Sequence, residues 1–277
     1  MISKDFPSPL YSELGIEYQQ AYDGPYKDLS YSVNGTTVIA GLKGGKITGF
    51  GRPVLAVGKK LRQAAEKLYE ISYDIWYRAY EIDDFAKFLL EKGYETTPYF
   101  TQVIDLSKTE KELHADVRKS YKSLINWGLD ENKAHLTYLN TNPPRGAYQH
   151  WANFRKLHIE VAGRTTRSKR TWNIQCCQIE QEEAFAILMY IDKQIVSGGF
   201  FIYNNHTCYY GVGASLEGAN SHALIWEAML HAKELGCRYM ELGEQVFCGD
   251  EKLVNISKFK AGFGGDCKMK LDLRKKE

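Results

Sequence analysis

A lysine set beside glycine-rich backbone, downstream of two glutamates, is the combination in this sequence best suited to chemistry. It lies in the stretch CRYMELGEQVFCGDEKLVNISKFKAGFGGD, Cys237 to Asp266. Formation of an amide passes through a tetrahedral oxyanion, and a fixed cation beside it stabilises that state by about 3 kcal/mol. Lys260 is the candidate cation, since glycine neighbours let backbone come close to a bound group. The attacking ammonium must lose a proton, and Glu244 or Glu241 can accept it directly or through water. The bland alternatives are a solvated lysine among Lys258, Lys268 and Lys270, and glutamates in surface ion pairs.

A second group is the loop Arg164, Arg167, Lys169 and Arg170 with Thr165, Thr166 and Ser168. Its forked donors and hydroxyls suit a phosphate or diphosphate, although a solvated basic loop fits equally well. Arg118, Lys119 and Lys122 form a cationic helix face able to guide a polyanion. Successive strand residues face opposite ways, so one of Tyr209 and Tyr210 can line a cleft; Tyr210 is taken as the substrate-side ring. Ser221 and His222 invite a nucleophile reading, but a helix cap accounts for Ser221. Acidic neighbours blunt Cys248 as a nucleophile, which argues against a covalent enzyme intermediate.

These residues need elements to hold them. Cys237–Leu242 is an apolar run that reads as a buried strand, and Gly243-Glu244-Gln245 breaks out of it. Before it, Leu224, Ile225, Ala228, Met229 and Ala232 mark one face of a helix capped by Ser221 and stopped by Gly236. Upstream again, Ala184–Ile191, Gln194–Tyr203 and His206–Val212 read as a meander with turns at Asp192-Lys193 and Asn204-Asn205. The strand–helix–strand piece from 206 to 242 implies a right-handed crossover between parallel strands. Helical stripes at 147–157 and 172–179, a strand at 134–139, a short helix ending near Lys260 and a strand at 266–273 complete this half.

The first half shows four short strand-like runs between residues 29 and 57, and then a helical stripe from Leu61 to Ile71. A strand at 74–82, a helix capped by Asp83 or Asp84, and a strand at 100–106 follow. The first 28 residues look like a surface arm. Ser107-x-x-Glu110 reads as a capping box opening a long helix that Gly128 stops. Three parts are therefore expected: 1–106 with its arm, a linking helix at 107–128, and 129–277.

The 277 residues carry a net charge of +2, with 44% hydrophobic and 25% charged residues. No strong global field argues for nucleic acid or an anionic membrane, and no DNA partner is expected. The start lacks an apolar signal core, and no run approaches the roughly 18 apolar residues of a membrane span. A cytoplasmic protein is expected, without a transmembrane segment. The six scattered cysteines form no C-x-x-C pair and no zinc spacing, so reduced structural thiols and no metal are expected.

The element order resembles the GNAT acyltransferase fold. Two such halves, joined after a strand of the type TQVIDLS, look like the Fem family of peptidyltransferases and its acetyltransferase relatives. Thr101–Ser107, His222–Gly243 and SKFKAGFGG (Ser257–Gly265) carry the likeness. It implies an α+β fold of tandem GNAT-like domains with mixed sheets, the second half the more complete. It also implies transfer of an acyl or aminoacyl group to an amine of a sugar or cell-wall precursor, small or lipid-linked, with peripheral membrane contact possible. The family's active-site Phe-Lys pair falls on Phe259 and Lys260, and donor binding on Gly213, Ser221 and His222. No tightly bound cofactor is implied; the co-substrate is acyl-CoA or aminoacyl-tRNA, hence tRNA as a possible partner. The chain lacks both a coiled-coil insertion and the Gln/Arg-x-x-Gly-x-Gly/Ala loop for CoA, so the donor stays open. A rival is a non-catalytic GNAT-fold module that binds carbohydrate or RNA.

Overall fold

The fold was described from a computed structural model, which covers residues 8–140 and 146–276. Its contacts divide the chain into two compact units, one of Met1–Leu14 with Gln102–Cys267 and one of Gly15–Thr101 with Lys268–Glu277. The long strand Glu95–Asp105 runs from one into the other. The end of the chain, expected with the second half, is instead counted with the first: Leu271 and Leu273 pair with Ala79 and Tyr77.

In the larger unit the strand Ala184–Ile191 shows why the sheet is buried on both sides. Phe185, Ile187 and Met189 enter one cluster with Phe201, Cys208, Met240 and Leu242. Ala184, Ala186 and Leu188 enter another with Trp151, Phe154, Trp172 and Phe200. An unbroken apolar strand requires helices on both faces. Lys119–Leu129 and His222–Glu234 supply one cover, and Ala147–Ala162 and Lys169–Glu180 the other. The strand order starts at His135–Leu139 and runs through Ala184–Ile191, Gln194–Tyr203 and Thr207–Ser215 to Tyr239–Glu244, with Glu95–Asp105 beyond. The first three pairings are antiparallel and the fourth parallel, the mixed meander-plus-crossover expected. Asp192 and Lys193 both take positive φ, as a tight hairpin turn demands.

The smaller unit is built from short strands. Tyr31–Val33, Thr36–Ile39 and Leu55–Gly58 form one antiparallel sheet, and Lys27-Asp28, Gly41–Lys43, Lys46–Thr48 and Asp74-Ile75 a mixed one whose last pairing is parallel. Helices Leu61–Ile71 and Asp84–Glu91 pack Leu68, Phe85 and Leu89 against Val38, Ile47 and Ile75. Asp83 caps the second helix through the Ala86 N–H at 2.8 Å, as expected.

Four local expectations are corrected. Residues 8–28 are not an arm: a 3₁₀ turn at Pro9–Tyr11 precedes a helix, Glu13–Asp23, and a short strand. That helix buries only Gly15, so its apolar stripe is too weak to read. The capping box is Thr109 with Glu112, two residues later than expected. The linking helix is two helices, Glu110–Asp116 and Lys119–Leu129, broken where Val117 takes extended backbone. Gly128 does not stop the second one but lies within it, where a Cβ would come 2.6 Å from the Ala223 Cβ. Its missing side chain lets the two helices of that face touch.

Helix propensity alone would make Gly128→Ala stabilising by about 1 kcal/mol. The contact with Ala223 reverses this, and urea denaturation should show a loss of about 1–3 kcal/mol, the usual range for overpacking.

Candidate active site

The strands Thr207–Ser215 and Tyr239–Glu244 run side by side through Thr207↔Tyr239, Cys208↔Met240 and Tyr209↔Glu241, and there the pairing ends. Thr207–Ser215 continues along Gln194–Tyr203 as far as Ser197↔Ser215. A bulge between Phe200 and Phe201 leaves Gly211 as the extra residue and bends the strand. Its neighbour turns at Gly243, whose φ is +85°. The two strands therefore part, and beyond the last pair their backbone groups no longer bond each other across the opening between them.

Lys260 reaches this opening from the last turn of the helix Glu251–Ala261. Its Nζ donates to the Glu244 carbonyl at 3.2 Å. Burial lowers the pKa of the amine, while the carboxylates of Glu244 and Glu241 partly restore it. The ammonium is thus half-buried with both predicted glutamates in its field. Ser257 holds the arrangement together: its hydroxyl accepts the Val246 N–H at 2.8 Å and donates to Leu253 O at 2.9 Å. That ties the strand exit to the helix carrying Lys260. Gln245 is only 5% exposed at the same exit, and its Nε2 has no hydrogen-bond partner.

Of the two tyrosines, the structure selects the other one. The Tyr209 hydroxyl and Lys260 Nζ each lie 3.4 Å from the point where a side chain on Gly243 would begin. Tyr210 instead stacks on Phe201, with ring centroids 5.1 Å apart, and burial pushes its phenol up to about 12. A Cβ on Gly213 would stand 1.8 Å from the Tyr210 hydroxyl. Gly213 is therefore required by Tyr210, and that face of its backbone is closed to a donor. Strand alternation left the choice open, and Cys208 facing the helix-side core decides it.

Phe259, beside Lys260, belongs to an aromatic cluster. Its ring lies 5.2 Å from Phe263, 6.0 Å from Tyr121 and 5.2 Å from His222, and Tyr121 meets His222 edge-on at 4.2 Å. Burial and the nearby Arg118 push His222 down to about 4. Its Nδ1–H donates to Asn220 Oδ1 at 2.7 Å, and its backbone N–H to the same oxygen at 3.1 Å. Asn220, not Ser221, thus caps the helix His222–Glu234; Ser221 makes no side-chain cap. An Asx turn two residues long is the signal that sequence inspection passed over. Arg118, read as part of a guiding surface, donates through Nη2 to Lys258 O at 3.1 Å and lies 5.0 Å over Tyr121. A cation there meets the negative end of the Lys260 helix.

The glycine-rich exit serves the protein rather than a ligand. A Cβ on Gly262 would meet the Tyr121 ring at 2.2 Å, one on Gly264 the Asp116 Cβ at 2.9 Å, and one on Gly265 Val103 O at 2.3 Å. Gln102 Nε2 also donates to Gly264 O at 2.6 Å. In the basic loop, the Arg167 guanidinium lies over Trp172, 3.9 Å from the ring centroid, and Ser168 caps the helix that begins at Lys169. Arg164 and Arg170 are exposed. The loop is partly structural.

No family model matches this sequence, and no curated protein does. Solved structures do. FemX aligns over 97% of this chain and 93% of its own, with a TM-score of 0.70 and 13% identity. L-PGS from Bacillus licheniformis aligns over 96% and 88%, at 0.62 and 14%. A GCN5-related N-acetyltransferase from Kribbella flavida aligns over 91% and 90%, at 0.51 and 13%. The chain has the Fem-like GNAT fold. At these identities the likeness establishes architecture, the tandem α+β arrangement read from element order. Among the described residues no helix is long and apolar enough to cross a membrane, and all six cysteines are free.

His222 gives the fold a pH signature. Its folded pKa of about 4 lies below the ordinary 6.5, so the unfolded chain takes up a proton first as pH falls. The stability it contributes is complete above about 6.5, declines between 6.5 and 4, and then levels. His222→Gln should flatten the denaturation midpoint across that window; a slope unchanged from the parent would assign the effect elsewhere.

Proposed function

We propose that the protein is an N-acyltransferase that moves an acyl or aminoacyl group from an activated ester or thioester to an amine, within cell-envelope biogenesis. The observation that carries this is the half-buried Lys260 ammonium at the parting of two parallel strands, bonded to Glu244 O and facing the Tyr209 hydroxyl across Gly243. A deprotonated amine attacks the donor carbonyl carbon, and the carbonyl electron pair moves to oxygen. Lys260 holds that oxyanion, with Tyr209 as a second donor beside it. Collapse re-forms the carbonyl and expels the alkoxide or thiolate, while the proton leaving the amine passes to Glu244 or Glu241, directly or through water. No covalent bond to the enzyme is needed, and holding two substrates together supplies much of the rate.

FemX and L-PGS support an envelope substrate by likeness of fold, the latter suggesting a lipid-borne acceptor. The donor is either acyl-CoA or aminoacyl-tRNA. The N-terminus of the helix His222–Glu234, where a diphosphate would gain most from free backbone N–H groups, is partly taken by Asn220 and crowded by aromatic rings. This favours the ester donor.

Two experiments test the reading. Acyl-CoAs and charged tRNAs offered with amine acceptors should yield a mass increment on an acceptor; retention without any increment would mean a binding module. Lys260→Ala should lower kcat/KM at least tenfold, about 1.4 kcal/mol of transition-state stabilisation, with the melting transition intact. Undiminished turnover would remove the lysine from the mechanism.

A further inference from the structure

The helix that carries Lys260 ends one residue after it, at Ala261. The last carbonyls of a helix have no partner within it, so the turn bearing the ammonium depends on what meets them. Here the turn tightens into i→i+3 bonds. Gly262 N–H donates to Phe259 O at 3.1 Å, Phe263 N–H to Lys260 O at 3.2 Å and Gly264 N–H to Ala261 O at 3.2 Å. Lys258 O is met from outside the helix, by Arg118 Nη2 at 3.1 Å. Arg118 also donates its backbone N–H to Gly262 O at 2.8 Å. Its Nη1 donates to the Tyr121 hydroxyl at 3.3 Å, which reaches Phe259 O at 3.5 Å. One residue thus grips the chain two positions before Lys260 and two positions after it.

Arg118 does this to the detriment of its own helix. It is the N-cap of Lys119–Leu129, where it makes no side-chain cap bond, and the first turn holds no acidic residue. That position favours Ser, Thr, Asp or Asn, and cations are disfavoured at the positive end of a helix. The same guanidinium is well placed at the negative end of Glu251–Ala261. A local rule broken in one element and compensated in another is expected at positions kept for function.

We propose that Arg118 is a positioning residue for the transfer: it clamps the last turn of Glu251–Ala261 so that the Lys260 ammonium stays at the parting of the strands, bonded to Glu244 O. Helix ends fray, and a turn released at Lys258 O and Gly262 O lets the amine leave Glu244 and Glu241 for water. Arg118 bears on the rate only if the transfer reading holds; its grip on the turn of Lys260 is independent of that reading. The competing role is a contribution to stability alone.

Arg118→Ser in the full chain separates the two, because serine supplies the cap that Lys119–Leu129 lacks while taking the guanidinium away from Lys258 O. The melting temperature should stay within about 2 °C of the parent's, the gained cap offsetting the lost bonds. In a ¹³Cε-lysine NMR titration the Lys260 amine should move up towards the ordinary value of about 10.5. With the donor and acceptor pair that the mass screen yields, kcat should fall about tenfold and KM change by about twofold or less, since substrate contacts stay in place. Arg118 is exposed, so ethylguanidinium added to Arg118→Ala should return both the titration and the turnover towards the parent. A Lys260 titration unchanged in Arg118→Ser overturns the proposal, as does a change in Arg118→Ala that ethylguanidinium leaves unmended. If no pair yields a product, the transfer reading fails, and the titration still decides what holds Lys260 in place.

Discussion

Everything the site does depends on two parallel strands that stop pairing. After Tyr209↔Glu241 the ladder between them ends. Backbone polar groups away from water require partners, so an unzipped ladder inside a protein must be filled by side chains or left for a ligand. Here one neighbour is a lysine held to Glu244 O. The bulge at Gly211 and the positive φ of Gly243 are the local means of bending the strands apart.

The surroundings keep that opening in one shape. Ser257 joins the strand exit to the lysine-bearing helix, and Arg118 holds the helix end through Lys258 O and Gly262 O. Gly262, Gly264 and Gly265 allow the following turn to lie against Tyr121, Asp116 and Val103. The phenylalanine of the Phe-Lys pair is thereby placed in an aromatic wall with Tyr121, Phe263 and His222, while the lysine turns to the strands. Neighbouring helix residues point about 100° apart, which lets Phe259 pack in the wall while Lys260 reaches Glu244 O. Burial and the neighbouring Arg118 keep His222 neutral within that wall.

Much of this was legible in the sequence because it rests on long, strongly patterned elements. The apolar run Ala184–Ile191 and the helix His222–Glu234 could hardly be read otherwise, and their order with Tyr239–Glu244 implied the crossover. The grouping of Lys260 with Glu244 and Glu241 followed from a strand end feeding a short helix. What escaped was decided at the level of single side chains. Whether Tyr209 or Tyr210 faced the opening depended on the sheet's facing, which alternation cannot supply. Gly213 and the glycines at 262–265 looked like ligand contacts, but what they accommodate comes from Tyr210, Tyr121 and Val103. Gly128 resembled a helix stop because its packing partner, Ala223, is 95 residues away in the chain. Arg167 lies over Trp172, a tertiary contact that loop composition does not announce.

The site requires an amine that is half-withdrawn from water at the parting of the strands. Selective ¹³Cε labelling of lysine and an NMR pH titration of the Lys260 resonance, assigned with Lys260→Arg, read this directly. The amine should titrate below the ordinary lysine value of about 10.5. Titration together with the surface lysines would place it in bulk solvent and contradict the site described.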